Sequence, residues 1–253
     1  MDTKYIFGLH PVQEALEGET EISKLYISQT GDFKRIHPLE QLAIRRNISV
    51  TKVPNIKLDK MVSENHQGII ALCSPIKYWN FEVLLKKVRL EDEKPLILFL
   101  DGVTDTRNLG GIARSAACLG VKAIVLPIQG SAAVTQDTVK TSAGAILKIP
   151  VARVSNSKLA VHTAMAEEFK IVSVSEKGNT PISEFEYNAP TMLLFGGEQK
   201  GISPALIKLS DCHANIPMSG GVSSLNVSVA VGITCYELNM QRLSQVLLSS
   251  AFL

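Results

Sequence analysis

Apolar residues in the first 75 positions fall into short runs, at Lys24 to Ser28, Ile48 to Val53 and Gly68 to Cys73, with helical patterns between them. Runs of this length bounded by polar residues predict strands, so the segment reads as a small α/β unit. Pro11 through Leu16 opens a helix, because proline is tolerated in a first turn whose N–H groups have no partner. The pattern changes from Ser74 to Lys94. Pro75, the aromatic group Tyr78, Trp79 and Phe81, a short amphipathic piece and the charged run Glu91-Asp92-Glu93-Lys94 lead to Pro95. Such a stretch between two apolar-periodic regions predicts a linker over 75–94, separating domains at 1–74 and 95–253.

Beyond Pro95 the apolar runs are nearly continuous rather than alternating: Leu96 to Leu100, Ala123 to Leu126, Ile171 to Val174, Met192 to Phe195 and His213 to Ile216. Strands of this kind suit a parallel sheet with both faces covered. Helices are predicted at Gly110 to Leu119, Leu159 to Glu168, Pro204 to Leu209 and Asn226 to Leu243, giving an α/β, doubly wound architecture. The end of the chain, Gln245 to Leu253, is small and apolar and would pack on a partner or fray.

Composition narrows the function classes. With 253 residues, 45% hydrophobic and 20% charged, the chain has a real core and is not disordered. The net charge of +2, from 26 Lys+Arg against 24 Asp+Glu, is spread evenly along the sequence. That balance gives no global electrostatic reason to expect a nucleic-acid partner, since such partners attract proteins through clustered Lys and Arg. No apolar stretch approaches the ~18–20 residues of a membrane span, and Asp2, Lys4 and His10 do not suit a signal peptide, so a cytoplasmic protein is expected. Cys73, Cys118, Cys212 and Cys235 are too far apart for a CxxC pair and sit among aliphatic residues. They read as reduced, buried thiols, with no metal site.

Ligands in open parallel sheets bind at the carboxyl ends of strands. Three segments there concentrate glycine with polar residues: Asp101 to Ser115, Gly196-Gly-Glu198-Gln-Lys-Gly201, and Ile216 to Ser228. Neither the dinucleotide fingerprint nor the P-loop fits them, and the G-x-S-x-G elbow and H-E-x-x-H are absent. Gly196 and Gly197 would let a ligand approach the backbone, or simply make a turn. Arg114 is either a paired structural residue or a fork for a phosphate. Asn108, just before a predicted helix, reads first as an N-cap side chain, and Ser224 and Asn226 could likewise cap the last helix rather than serve a site.

Taken in order, Asn108-Leu-Gly-Gly-Ile-Ala-Arg114-Ser-Ala, Gly196-Gly-Glu198-Gln-Lys-Gly201 and Ile216-Pro-Met218 with Ser224-Leu225-Asn226-Val-Ser228 resemble the motifs of the SpoU (TrmH) family of RNA ribose 2′-O-methyltransferases, within the SPOUT superfamily. Ile6-Phe-Gly-Leu-His-Pro-Val-Gln-Glu-Ala-Leu16 and His66-Gln-Gly-Ile-Ile-Ala71 are similar to the RNA substrate-binding domain of RlmB-type members, which methylate a guanosine of 23S rRNA. The resemblance implies a parallel sheet with a trefoil knot, S-adenosylmethionine as cofactor, and a homodimer whose active site draws on both subunits. It places the catalytic and RNA-facing set on Asn108, Arg114, Glu198, Ser224 and Asn226, and the cofactor pocket on Gly196, Ile216, Met218 and Leu225. A guanidinium is protonated at neutral pH, so Arg114 would grip the target phosphate and polarise the hydroxyl rather than act as a lasting base. Lys34, Arg35, Arg45 and Arg46 would face RNA or form ordinary solvated surface, and a linker around Trp79 would let the first domain swing. A tRNA methyltransferase of the same family and an inactive RNA-binding or assembly protein are the alternatives.

Overall fold

The computed structural model describes residues 4–250, with side chains up to residue 244, so the side chains of Gln245 to Leu253, expected to pack on a partner or fray, lie outside the described residues. The chain forms two units. One runs to Lys77 and takes in Ala133–Asp137, and the other holds Tyr78–Ala132 and the chain from Thr138 onward.

The first unit contains β1 (Tyr5–Phe7), α1 (Leu9–Glu17), β2 (Ile22–Ser28), α2 (Phe33–Arg45), β3 (Ser49–Val53), α3 (Asn55–Asp59) and β4 (Ile69–Cys73). The strands lie in the order β1-β4-β2-β3. β4 is antiparallel to both its neighbours and β2 is parallel to β3. Leu9, Val12 and Leu16 from α1 and Ile36, Leu39 and Ala43 from α2 repeat at helical spacing. They bury one face of the sheet with Leu25, Ile27 and Ile69. Val53, Leu58, Val62 and Ile70 cover the other face. Arg46 is structural: its Nη1 donates to the carbonyls of Ala15 at 3.1 Å and Leu16 at 2.5 Å, which places a cation on the exposed end of α1.

The second unit contains α4 (Phe81–Glu91), β5 (Leu96–Asp101), α5 (Thr106–Cys118), β6 (Ala123–Pro127), α6 (Gln136–Thr141, which begins in the first unit), β7 (Val151–Val154), α7 (Ser157–Ala166), β8 (Lys170–Val174), β9 (Thr180–Pro181), β10 (Thr191–Gly196), α8 (Pro204–Ile207), β11 (Cys212–Asn215) and α9 (Val227–Ser250). Its seven strands follow the order β7-β6-β5-β10-β8-β11-β9, and every neighbouring pair is parallel. Both faces are covered. Ile97, Phe99, Val125, Ile171, Met192 and Leu194 point into a core shared with α4, α7 and α8. The alternate residues Leu98, Leu100, Ile124, Val172 and Leu193 are equally buried on the opposite face, where α9 packs on β10 and α5 packs on α9. Each such aliphatic side chain contributes about 1.5–3 kcal/mol on burial.

Three features differ from the sequence-based expectation. The stretch 75–94 carries α4, whose Phe81, Leu84, Leu85 and Val88 join the core of the second unit, and Trp79 N donates to Val151 O at 2.9 Å. Of the four free cysteines only Cys235 is buried, while Cys118 is exposed. Finally, α5 begins at Thr106 rather than Gly110. Asp105 caps it, its carboxylate accepting from the N–H of Arg107 at 2.7 Å and of Asn108 at 3.1 Å.

That cap has a pH signature. The hydrogen bonds from Asn108 and then Arg107 hold the Asp105 carboxyl below its ordinary range. The unfolded carboxyl titrates higher, near ~3.9, so the contribution is present above that pH and is lost as the pH falls through the folded value. Asp105→Ala is therefore expected to lower the melting temperature at neutral pH and flatten its acid dependence. Asp105→Ser, which still caps, should restore most of the neutral-pH stability.

Candidate active site

β5 and β10 are adjacent and in register, with Asp101 paired to Gly196 at their carboxyl ends. From β5 the chain steps outward through β6 and β7, while β10 joins it to β8 and β11 on the other side. The strand order reverses here, which is where open α/β sheets place ligands.

The loop after β10 is held tightly. Gly197 N donates to Asp101 O at 2.8 Å, Gly201 N donates to Gly197 O at 2.8 Å, and the Asp101 carboxylate accepts from Ser203 N at 2.8 Å. A Cβ on Gly196 would lie 2.1 Å from the carbonyl carbon of Gly201, and one on Gly197 would lie 1.9 Å from Gly102 O. Neither position has room for a side chain.

This loop presents Glu198 to two asparagines that are distant in sequence. Asn108 Nδ2 donates to Glu198 Oε1 at 2.6 Å, and Asn226 Nδ2 donates to the same oxygen at 3.3 Å and to Asn108 Oδ1 at 3.1 Å. Ser228 fixes the orientation of Asn226: its N–H at 2.9 Å and its hydroxyl at 2.6 Å both donate to Asn226 Oδ1, which turns the amide nitrogen toward the other two residues. Asn108 is free to take part because Asp105, not Asn108, caps α5. One hydrogen-bonded group thus joins the first turn of α5, the loop after β10 and the start of α9.

Beside this group lies a cavity of about 270 Å³ lined by Gly196, Gly197, Glu198, Ile216, Met218, Ser224 and Leu225, among others. Its charged lining residues, Glu176, Lys177, Glu198 and Lys200, balance in sign. Sequence reasoning missed the segment Ser175 to Lys177, although its position directly after β8 was a usable signal. Arg114 stands apart from the cavity lining. It is exposed on α5 and has no carboxylate partner among the described residues; six residues beyond Asn108, it lies about 9 Å along the helix axis. Asp101, whose carboxylate clamps the loop, is the other residue whose role sequence reasoning did not identify.

Comparison with known proteins accounts for both units. Residues 95–236 match the SpoU rRNA Methylase family and residues 5–79 match the family described as RNA 2′-O ribose methyltransferase substrate binding. A Staphylococcus saprophyticus protein described as a TrmH-family tRNA/rRNA methyltransferase is 34% identical, covering 96% of this chain and 97% of its own. The AdoMet-bound rRNA methyltransferase from Sinorhizobium meliloti shares the fold, with a TM-score of 0.60 at 24% identity over 93% of this chain and 86% of its own. The TrmH/SpoU tRNA modifying enzyme of A. aeolicus has a TM-score of 0.55 at 30% identity, covering 67% of this chain and 87% of its own. With the motif segments, the two-unit architecture and these matches in agreement, the chain belongs to the SpoU family of RNA 2′-O-ribose methyltransferases.

Proposed function

We propose that this chain methylates the ribose 2′-hydroxyl of a guanosine in 23S rRNA, with S-adenosylmethionine as the methyl donor, and that it works as a cytoplasmic homodimer. The observation that carries the reading is the Asn108–Glu198–Asn226 group at the cavity beside the reversal of strand order. The residues present fit the cofactor. Gly196, Gly197 and Gly201 line the cavity without side chains, Ile216, Met218 and Leu225 offer apolar surface to a purine, and the balanced side-chain charges leave no excess positive potential against a cationic sulfonium. When bound, S-adenosylmethionine supplies a methyl group already activated for in-line transfer.

What is left for the protein is alignment and management of a weakly acidic hydroxyl. A guanidinium is charged at neutral pH and Arg114 has no carboxylate partner among the described residues, so its fork is available to hold the phosphate of the target nucleotide and to polarise the hydroxyl. Ser224 and Asn226 would position the ribose. Glu198, with one oxygen already accepting from two amides, serves as the anchor that keeps both asparagines in place.

The choice of ribosomal RNA is supported by coverage: the S. meliloti rRNA methyltransferase shares the fold over 93% of this chain, whereas the match to the tRNA modifying enzyme covers 67%. The homodimer is supported by α9. Its Val227, Val231, Cys235 and Leu238 are buried, yet Val229, Ile233, Tyr236, Met240 and Leu243 on another face are 38–56% exposed. A helix apolar on both sides needs a second surface to cover it. Ile233→Glu is expected to give a monomer by light scattering and to lower methyl transfer at least about ten-fold, since the reading has the active site drawing on both subunits.

The experiment for substrate identity is ribose-methylation mapping of rRNA and tRNA from cells with and without the gene. Loss of one 2′-O-methylguanosine in 23S rRNA is expected, and loss confined to tRNA would overturn the ribosomal assignment.

A further inference from the structure

The first turn of α5 carries a second arginine that the proposed chemistry does not use. Arg107 directly precedes Asn108, which donates to Glu198, and its side chain is 81% exposed. Its ion-pair partner is Asp105, whose Oδ2 lies 3.6 Å from Arg107 Nη2 while Oδ1 accepts from the N–H groups of Arg107 and Asn108. A contact of this length between two solvated groups is loose, so most of the five guanidinium donors remain available. The contact also shows the side chain leaning toward the N-terminal end of α5, as helical side chains do. That end follows the carboxyl end of β5 and holds Asn108. The guanidinium thus stands at the edge of the sheet where the Asn108–Glu198–Asn226 group lies.

Arg107 and Arg114 are seven residues apart, which puts them on one face of α5, two turns and about 10 Å apart along its axis. The positions between them on that face are Gly110 and Gly111, so no side chain separates the two arginines. The glycines also let neighbouring helices close in. A Cβ on Gly110 would lie 2.6 Å from Thr141 Cβ of α6, and one on Gly111 would lie 3.2 Å from Ser228 Cβ of α9. The exposed strip of α5 is therefore narrow, flanked by α6 and α9, with an arginine at each end. Two guanidiniums in line match successive anions on one chain, and phosphate contacts are what fix a nucleic acid's register on a protein. We propose that Arg107 holds a second phosphate of the RNA, next to the one gripped by Arg114, so that the backbone at the target nucleotide lies along this strip. The inference rests on the methyltransferase reading and deepens it: Arg114 acts on the reacting ribose, and Arg107 sets the register of the RNA over the site.

The test is steady-state methyl transfer by the full-length protein to unmodified 23S rRNA and to tRNA, with binding of the RNA that the wild type labels measured across a range of salt. Arg107→Ala should raise KM for that RNA about ten-fold with kcat within about two-fold of wild type. It should also reduce the slope of log K against log salt by about 0.7. Arg107→Lys keeps the charge and should restore the slope. The melting temperature and the affinity for S-adenosylmethionine should not move, because the Asp105 cap is made to backbone N–H groups that the substitution leaves in place. Lys158→Ala removes an exposed cation from α7 and serves as the control, with KM and slope expected to stay at wild-type values. If the wild type methylates RNA but Arg107→Ala keeps its KM and slope, or Lys158→Ala changes them equally, the second clamp is overturned and the methyltransferase reading stands. If the wild type methylates no RNA, the reading itself fails and the clamp falls with it.

Discussion

Arg114→Ala is expected to reduce kcat for methyl transfer by about 10³-fold while leaving the melting temperature and the affinity for S-adenosylmethionine unchanged. The structural half follows from position. Arg114 is exposed on α5, has no ion pair among the described residues, and does not line the cavity. Substitutions at such surface positions stay within about 0.5 kcal/mol of neutral. The catalytic half follows from chemistry. A guanidinium that grips the target phosphate fixes the ribose relative to the methyl donor, and its charge lowers the cost of developing negative charge on the 2′-oxygen. Arg114→Lys keeps the charge but loses the planar fork, so it should recover only part of the rate. Steady-state kinetics with calorimetry separates the two halves. Near-normal turnover in Arg114→Ala with unchanged RNA binding would remove the arginine from the mechanism.

The second large effect is expected at Gly197. An alanine there would place its Cβ 1.9 Å from Gly102 O and 2.5 Å from Gly102 C, and both contacts are backbone, which has no rotamer to yield. Gly102 is itself at φ +79°, directly after β5, so relief must come from opening the loop after β10. Opening it breaks the Gly197 N to Asp101 O bond and moves Glu198 away from Asn108 and Asn226. Gly197→Ala should therefore cost about 1–3 kcal/mol of stability and weaken S-adenosylmethionine binding about 100-fold or more. Gly201→Ala is the control. Its Cβ meets nothing within 4 Å, and the residue carries only the strain of φ +63°, about 1 kcal/mol. Thermal denaturation and isothermal titration of the two variants decide the matter. Wild-type stability and affinity in Gly197→Ala would mean that the bare backbone at this turn serves no ligand.

The periodicity of apolar residues foretold much of this fold. β5, β6, β8 and β10 read clearly because buried parallel strands are continuous in aliphatics, and the parallel sheet follows from them. β7 did not, since Val151–Val154 is interrupted by Arg153, whose guanidinium lies 4.1 Å over the Tyr78 ring and so makes a charged residue compatible with a covered strand. The helix in 81–91 was visible as an amphipathic piece, but which core it joins depends on contacts far away in sequence. Asn108 illustrates the limit at the site. Its residue type and place before a predicted helix favour a cap, and only the cap formed by Asp105 shows that its side chain is available to other partners. Its partners Glu198 and Asn226 lie 90 and 118 residues away, so their meeting depends on the strand order rather than on any local signal.

The central claim is that the cavity and the Asn108–Glu198–Asn226 group serve methyl transfer to a ribose. The most direct measurement incubates the purified protein with methyl-labelled S-adenosylmethionine and unmodified 23S rRNA, with tRNA in parallel, and maps the product by resistance to alkaline cleavage. Label is expected at a single guanosine 2′-oxygen of 23S rRNA, and lost in Arg114→Ala. Label on a base, or no transfer to either RNA from a protein that binds S-adenosylmethionine, would contradict it.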